Sequence, residues 1–189
     1  MTSSCDSVAL PAVSNADFTS NLAGWSTDYS PGIDNTGNYA IGPKLSIVAP
    51  RFLQYSPDFS AKTGGNFVFV NGSLNPADRI LYRQFTVVAG NTYRARIWAR
   101  RVVLPSLVKA SVSGVSITVD LSALPNEWNA VDLVFKATAT TADFAVTERS
   151  AQSFGSDIAL SNFELSQCDS PFIYVAFGDS YQSLRAGLH

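Results

Sequence analysis

The chain has 189 residues, 46% of them hydrophobic and 15% charged, a balance that fits a folded domain and excludes a disordered one. A formal net charge of −2 gives no global field to draw in nucleic acid or an anionic membrane. No apolar run approaches the length needed to span a bilayer.

The N-terminus, MTSSCDSVALPAVSN, lacks the basic and long apolar regions of a secretory leader. The stretch from Ser26 to Gly65 scatters Gly, Pro, Asn and Asp among short apolar patches. It reads as long loops with one or two short strands, the place where a sandwich carries binding loops. From there turn signals recur about every ten residues with alternating segments between them, the pattern of an all-β sandwich or barrel. GNFVFVNGS (65–73), ILYRQFTVV (80–88) and TYRARIWARRVV (92–103) are the clearest strands. LVKASVSG and VSITVDL follow, joined near Gly114, then EWNAVDLVFKAT (127–138), TADFAVTER (141–149) and SDIALSNFEL (156–165). No amphipathic helix stands out.

Cys5 and Cys168 are the only cysteines and flank the strand-rich region, so a bridge between first and last strands is expected. Pro171 then separates an apolar run, FIYVAF (172–177), from what precedes it. Such a run needs cover, either from an edge of its own sandwich or from a neighbouring subunit. Phe172, Tyr174 and Phe177 are the candidate assembly residues.

Within TYRARIWARRVV, strict alternation sends Tyr93, Ala95, Ile97 and Ala99 to the core. Arg94, Arg96, Trp98 and Arg100 fall on the opposite face, an indole among guanidiniums suited to stacking on sugar rings and binding hydroxyls. The same face could equally be an exposed strand whose arginines pair with neighbouring carboxylates, or a protein interface. Tyr29, Tyr39, Phe52 and Tyr55 lie in the long loop region, with Tyr29 and Tyr55 the preferred stacking candidates. Trp25 reads as core, and Trp128 as core or rim.

NADFTSNLAGW (15–25), FVFVNGS (67–73), VVAGNTYRARIWA (87–99) and GSDIALSNFEL (155–165) follow one another in a familiar order. Together they resemble the jelly-roll, galactose-binding-like carbohydrate modules of bacterial surface and secreted proteins. The resemblance covers about residues 8–168 and implies an antiparallel β-sandwich of jelly-roll type over 1–169, with a C-terminal arm at 170–189. It also implies a sugar-binding face at the strand that carries Trp98. Modules of this kind often hold a structural calcium, but the two acidic positions expected for it are here Thr19 and Asn162; Asp17 and Asp157 remain and read equally as turn formers. No bound calcium is therefore expected, and no other metal or cofactor.

A second, shorter resemblance lies in YVAFGDSYQSL (174–184), which is similar to the first block of the GDSL esterases. It would make Ser180 the nucleophile beside Asp179. Only nine residues follow Ser180, and the single histidine is His189, so no base can be assembled and catalysis is not expected. The sequence thus points to a non-catalytic recognition or adhesion module on an extracellular, cell or virion surface, with glycan as partner. A structural subunit of a virion or filament, assembling with its own copies through the arm, is the alternative.

Overall fold

The structure is a computed structural model. It describes residues 13–149 and 156–168 with their side chains, and the strands at 7–9, 176–177 and 180–181 as backbone. The strands in chain order are β1 (Ser7–Ala9), β2 (Ser30–Pro31), β3 (Asn38–Gly42), β4 (Phe67–Asn71), β5 (Arg79–Thr86), β6 (Thr92–Arg101) and β7 (Leu107–Val112). They continue with β8 (Val115–Asp120), β9 (Asn129–Lys136), β10 (Thr141–Glu148), β11 (Ile158–Cys168), β12 (Ala176–Phe177) and β13 (Ser180–Tyr181). A larger sheet runs β2-β3-β4-β11-β6-β9, with β1 also pairing β11, and a smaller one runs β5-β10-β7-β8. All pairings within the two sheets are antiparallel except β2 with β3. This is the expected jelly-roll sandwich.

Alternation builds the layer between the sheets. Tyr93, Ala95, Ile97 and Ala99 of β6 are buried there, with Val131, Leu133 and Phe135 of β9 and Ala142, Phe144 and Val146 of β10. In β11, Ile158 and Leu160 point inward, and the register then shifts so that Phe163 takes the next inward place. Asn162 is the extra residue, at φ 45°, a left-handed backbone that Asn tolerates better than most residues. Trp25 sits at the hub of this layer, its ring 5.3 Å from Phe163 and 5.7 Å from Phe18.

The region 26–65 holds two short strands, β2 and β3, as expected, but the stretch after them is not loop alone. Residues 43–64 fold as a short helix, α1 (Leu45–Val48), and a 3-10 turn (Pro50–Gln54), and lie over the outer face of the larger sheet as a roof. Leu45, Ala49, Phe52 and Phe59 pack there on Phe67, Phe69 and Ala159, a second apolar core. β4 therefore buries both faces, Val68 and Val70 inward and Phe67 and Phe69 under the roof. The two ends of the roof are tied together: Ala61 N donates to Pro43 O at 3.0 Å, Leu45 N to Phe59 O at 2.9 Å, and Lys44 Nζ meets Asp58 Oδ2 at 2.7 Å.

Of the C-terminal run FIYVAF only residues 176–177 are described, and as backbone. Ala176–Phe177 pairs antiparallel with Ser180–Tyr181, and among the described residues this two-stranded unit pairs with neither sheet. Ser180 pairs with Phe177 at the start of β13. Phe172 and Tyr174 lie outside the described residues, as does Cys5.

The β1–β11 register sets Ser7, two residues after Cys5 in sequence, opposite Cys168 at the end of the last long strand. Oxidised native protein should therefore gain two hydrogens in intact mass on reduction, with no alkylation of either thiol beforehand. Two alkylated cysteines in unreduced material would exclude the bridge.

Candidate functional site

The outer face of the larger sheet is roofed on one side and open on the other. On the open side Arg96 and Asp132, opposed across β6 and β9, form a two-pronged ion pair at 2.6 and 2.7 Å, with Glu164 Oε2 4.0 Å from the guanidinium. Trp98 lies beside it, half-buried, with Lys62 Nζ 4.2 Å from its ring centroid and Arg96 Cζ 5.6 Å away. Its indole Nε1 is buried without a hydrogen-bond partner. One side of the Trp98 ring is thus occupied by a cation from the roof. The arginines of this face divide in their roles. Arg96 is committed to carboxylates, whereas Arg100 Cζ lies 4.3 Å from the Phe59 ring centroid and its Nε donates to Asn126 Oδ1 at 3.2 Å. Arg94 occupies the position next along this face, opposite Ser166 and Val134.

A cleft of about 350 Å³ opens where the roof meets the end of β6, lined by Tyr55, Arg101, Val102, Val103, Leu104 and Asn126. Tyr55 stands at its mouth, 58% exposed, with its ring centroid 6.3 Å from that of Phe52. Phe52 in turn packs 4.7 Å from Phe69 of β4, so the exposed ring is backed by the sheet through a buried one. Leu104, 52% exposed, supplies an apolar wall. Asn126 is fixed by Arg100 and by its amide donating to Ser56 Oγ at 3.5 Å. Arg101 Nη1 donates to Ser122 O at 2.8 Å and to Leu121 O at 3.4 Å. Burial draws Arg100 below the ordinary guanidinium value, with the charge of Glu127 opposing the shift. An exposed aromatic ring beside an amide and a guanidinium, held in place before any ligand arrives, is what stacking on a sugar and bonding its hydroxyls require.

Asp157 stands behind the cleft. Its backbone oxygen accepts from Val102 N at 2.8 Å and Val103 N at 3.1 Å, and its side-chain Oδ1 accepts from Gly72 N at 2.9 Å. Burial pushes this carboxyl up to about 6, while the Gly72 hydrogen bond and the charge of Arg51 act in the other direction.

Of the sequence candidates, Tyr55 reaches the cleft and Arg100 its margin, whereas Arg94, Arg96 and Trp98 line the neighbouring open face. Tyr29 is corrected: it is 5% exposed, its hydroxyl accepts from Ser73 N at 3.2 Å, and no face is left for a ligand. Burial, then the charge of Glu148, push its phenol upward. The turn at Thr27 and the Asp28–Arg79 pair at 2.8 Å draw this segment onto β5 and its tyrosine inward. Asn126, Arg101 and Leu104 carry no local signal, because the three segments that meet in the cleft are far apart in sequence.

At the positions considered for calcium, Asp17 Oδ1 accepts from Thr19 Oγ1 at 2.9 Å and Asn162 Oδ1 from Ser161 Oγ at 2.7 Å. Among the described residues no three His, Cys, Asp or Glu side chains converge. No described helix is long and apolar enough to cross a membrane.

No protein-family model matches the chain, and no curated protein matches its sequence. Solved structures do share its fold. A carbohydrate-binding module, TmCBM61 in complex with β-1,4-galactotriose, aligns over 82% of this chain and 97% of its own at 16% identity, with a TM-score of 0.55. The Stig cyclase FisC from Fischerella sp. TAU aligns over 86% of this chain and 98% of its own at 12% identity, with a TM-score of 0.58. The enzymatically active domain of tailspike protein 4 from bacteriophage CBA120 aligns over 82% of this chain at 15% identity and a TM-score of 0.54, but this chain spans only 21% of it. None of these structures supports the esterase resemblance of the 174–184 stretch. Their fold, a β-sandwich also used by carbohydrate-binding modules, is the fold of this chain.

Proposed function

We propose that this chain is a non-catalytic carbohydrate-recognition module that works at an extracellular surface. The observation that carries the reading is the Tyr55 ring, exposed at the mouth of the 350 Å³ cleft and backed by Phe52. The fold shared with a galactotriose-binding module supports it. The cyclase shows that the same frame can also hold catalysis, so the reading rests on the cleft and not on the fold. The likeness to a phage tailspike supports a second setting, in which the module is carried on a virion and its arm, with Phe172, Tyr174 and Phe177, engages neighbouring subunits.

A glycan array followed by titration of the best hit tests the reading. Tyr55→Ala should lower affinity at least about tenfold, equivalent to ~1.4 kcal/mol, while stability changes by less than about 1 kcal/mol, as expected of an exposed side chain. Trp98→Ala should do the reverse, costing about 2 kcal/mol of stability through lost packing and leaving affinity within about threefold. Loss of binding in Trp98→Ala with retention in Tyr55→Ala would move the site to the open face of β6. An array without a hit would reject the carbohydrate reading.

A further inference from the structure

We propose that the Tyr55 cleft selects acidic glycans, those carrying a carboxylate such as a uronic acid, and that Arg101 receives the carboxylate. The proposal rests on the carbohydrate reading of this cleft and narrows its ligand class. The ion pairs among the described residues are Lys44–Asp58, Arg51–Asp34, Arg79–Asp28 and Arg96 with Asp132 and Glu164. Two arginines at the cleft, Arg100 and Arg101, take no part in them. Arg101 bonds only to the neutral carbonyls of Leu121 and Ser122, and through a single nitrogen. Its other N–H groups make no hydrogen bond to the described residues. Among the described residues Arg100 hydrogen-bonds only to the Asn126 amide oxygen. Glu127, next to Asn126, acts on Arg100 through charge without forming an ion pair with it.

Four of the twelve described lysines and arginines take part in these ion pairs, and Arg101, one of the others, also lines the cleft. Arg101 is half-buried and anchored by the carbonyls at the end of the smaller sheet, so its planar fork is held in place in the cleft wall. A ligand carboxylate there would gain charge-assisted hydrogen bonds in a site partly shielded from water, stronger than those a neutral hydroxyl makes. Tyr55 and Leu104 would hold the ring while Arg101 reads the acid.

The test uses the full chain and an array that pairs each uronate-containing oligosaccharide with its carboxyl-reduced, neutral counterpart. Wild type should bind the acidic member at least about tenfold more tightly, with affinity falling as NaCl rises. Arg101→Gln should bring that ratio close to one, and thermal melts would confirm that the variant folds. Lys109→Gln, a change on β7 away from the cleft, should leave the ratio intact. Equal binding of both members, or a preference that survives Arg101→Gln, would overturn the acid selectivity while leaving carbohydrate binding in place. Binding to neither member of any pair would remove the carbohydrate reading and this one with it.

Discussion

Trp25→Ala should lower the unfolding free energy by about 3–5 kcal/mol, the cost of truncating a fully packed aromatic. The indole is 6% exposed and meets four phenylalanine rings: Phe163 at 5.3 Å, Phe18 at 5.7 Å, Phe85 at 6.0 Å and Phe144 at 6.2 Å. Phe85 and Phe144 belong to the smaller sheet and Phe163 to the larger, so the indole joins the two sheets. Its Nε1 also donates to Asn15 O at 3.1 Å, which holds the turn that leads into the sandwich. Truncation removes a side chain that nothing nearby can replace, because Phe85 and Phe163 are already stacked with their planes 4° apart. Trp25→Phe should recover roughly half of the loss, since it restores ring area without the hydrogen bond. Urea unfolding of the three proteins checks this, and a loss below about 1.5 kcal/mol for alanine would show that the indole is not the hub of the core.

Asp157→Asn should stabilise the protein at neutral pH and have no such effect near pH 4. The carboxyl is 4% exposed, and burial raises it from an ordinary 3.8 to about 6. Between those values the folded chain binds more proton than the unfolded one. The stabilisation from this group is therefore complete below pH 3.8 and is lost as pH rises through about 6. At ~1.4 kcal/mol per pH unit, the interval from 3.8 to about 6 corresponds to roughly 2–3 kcal/mol at pH 7. Asparagine keeps an oxygen for Gly72 N and carries no charge at any pH, so the gap between variant and wild type should open from pH 4 to pH 7. Other carboxylates move in the opposite sense, among them Asp28, held below its ordinary value chiefly by the Arg79 hydrogen bond. They titrate alike in both proteins and cancel in the difference. A gap that stays constant across this range would mean that the buried carboxyl does not titrate there.

Most of the sandwich was legible because its strands follow a period of two, and TYRARIWA placed four residues inside without exception. The roof was not legible. Leu45, Val48 and Phe52 are spaced for short helical turns, too brief to set up a period, and the surrounding Gly, Pro and Asn read as loop. A sign of it lay elsewhere, in β4: the unbroken FVFV leaves no polar face, so a strand at that place needs cover on both sides. Tyr29 was misplaced for a related reason, since its neighbours have turn chemistry while their partners on β5 lie about fifty residues away. Tyr55, Asn126 and Arg101 meet through tertiary packing, and no local spacing could have joined them.

The roof leaves the frame and returns to it at adjacent strands, and its neck is closed by the Pro43–Ala61 and Leu45–Phe59 hydrogen bonds. A segment closed at its base behaves as a cassette. It can be exchanged for another of different length without disturbing the pairing of β3 with β4, as long as the new segment offers apolar residues to Phe67 and Phe69. Tyr55 travels with the cassette, whereas Arg101 and Asn126 stay with the frame. New specificities could therefore be inherited by swapping one contiguous stretch of gene, with the sandwich and its folding left unchanged.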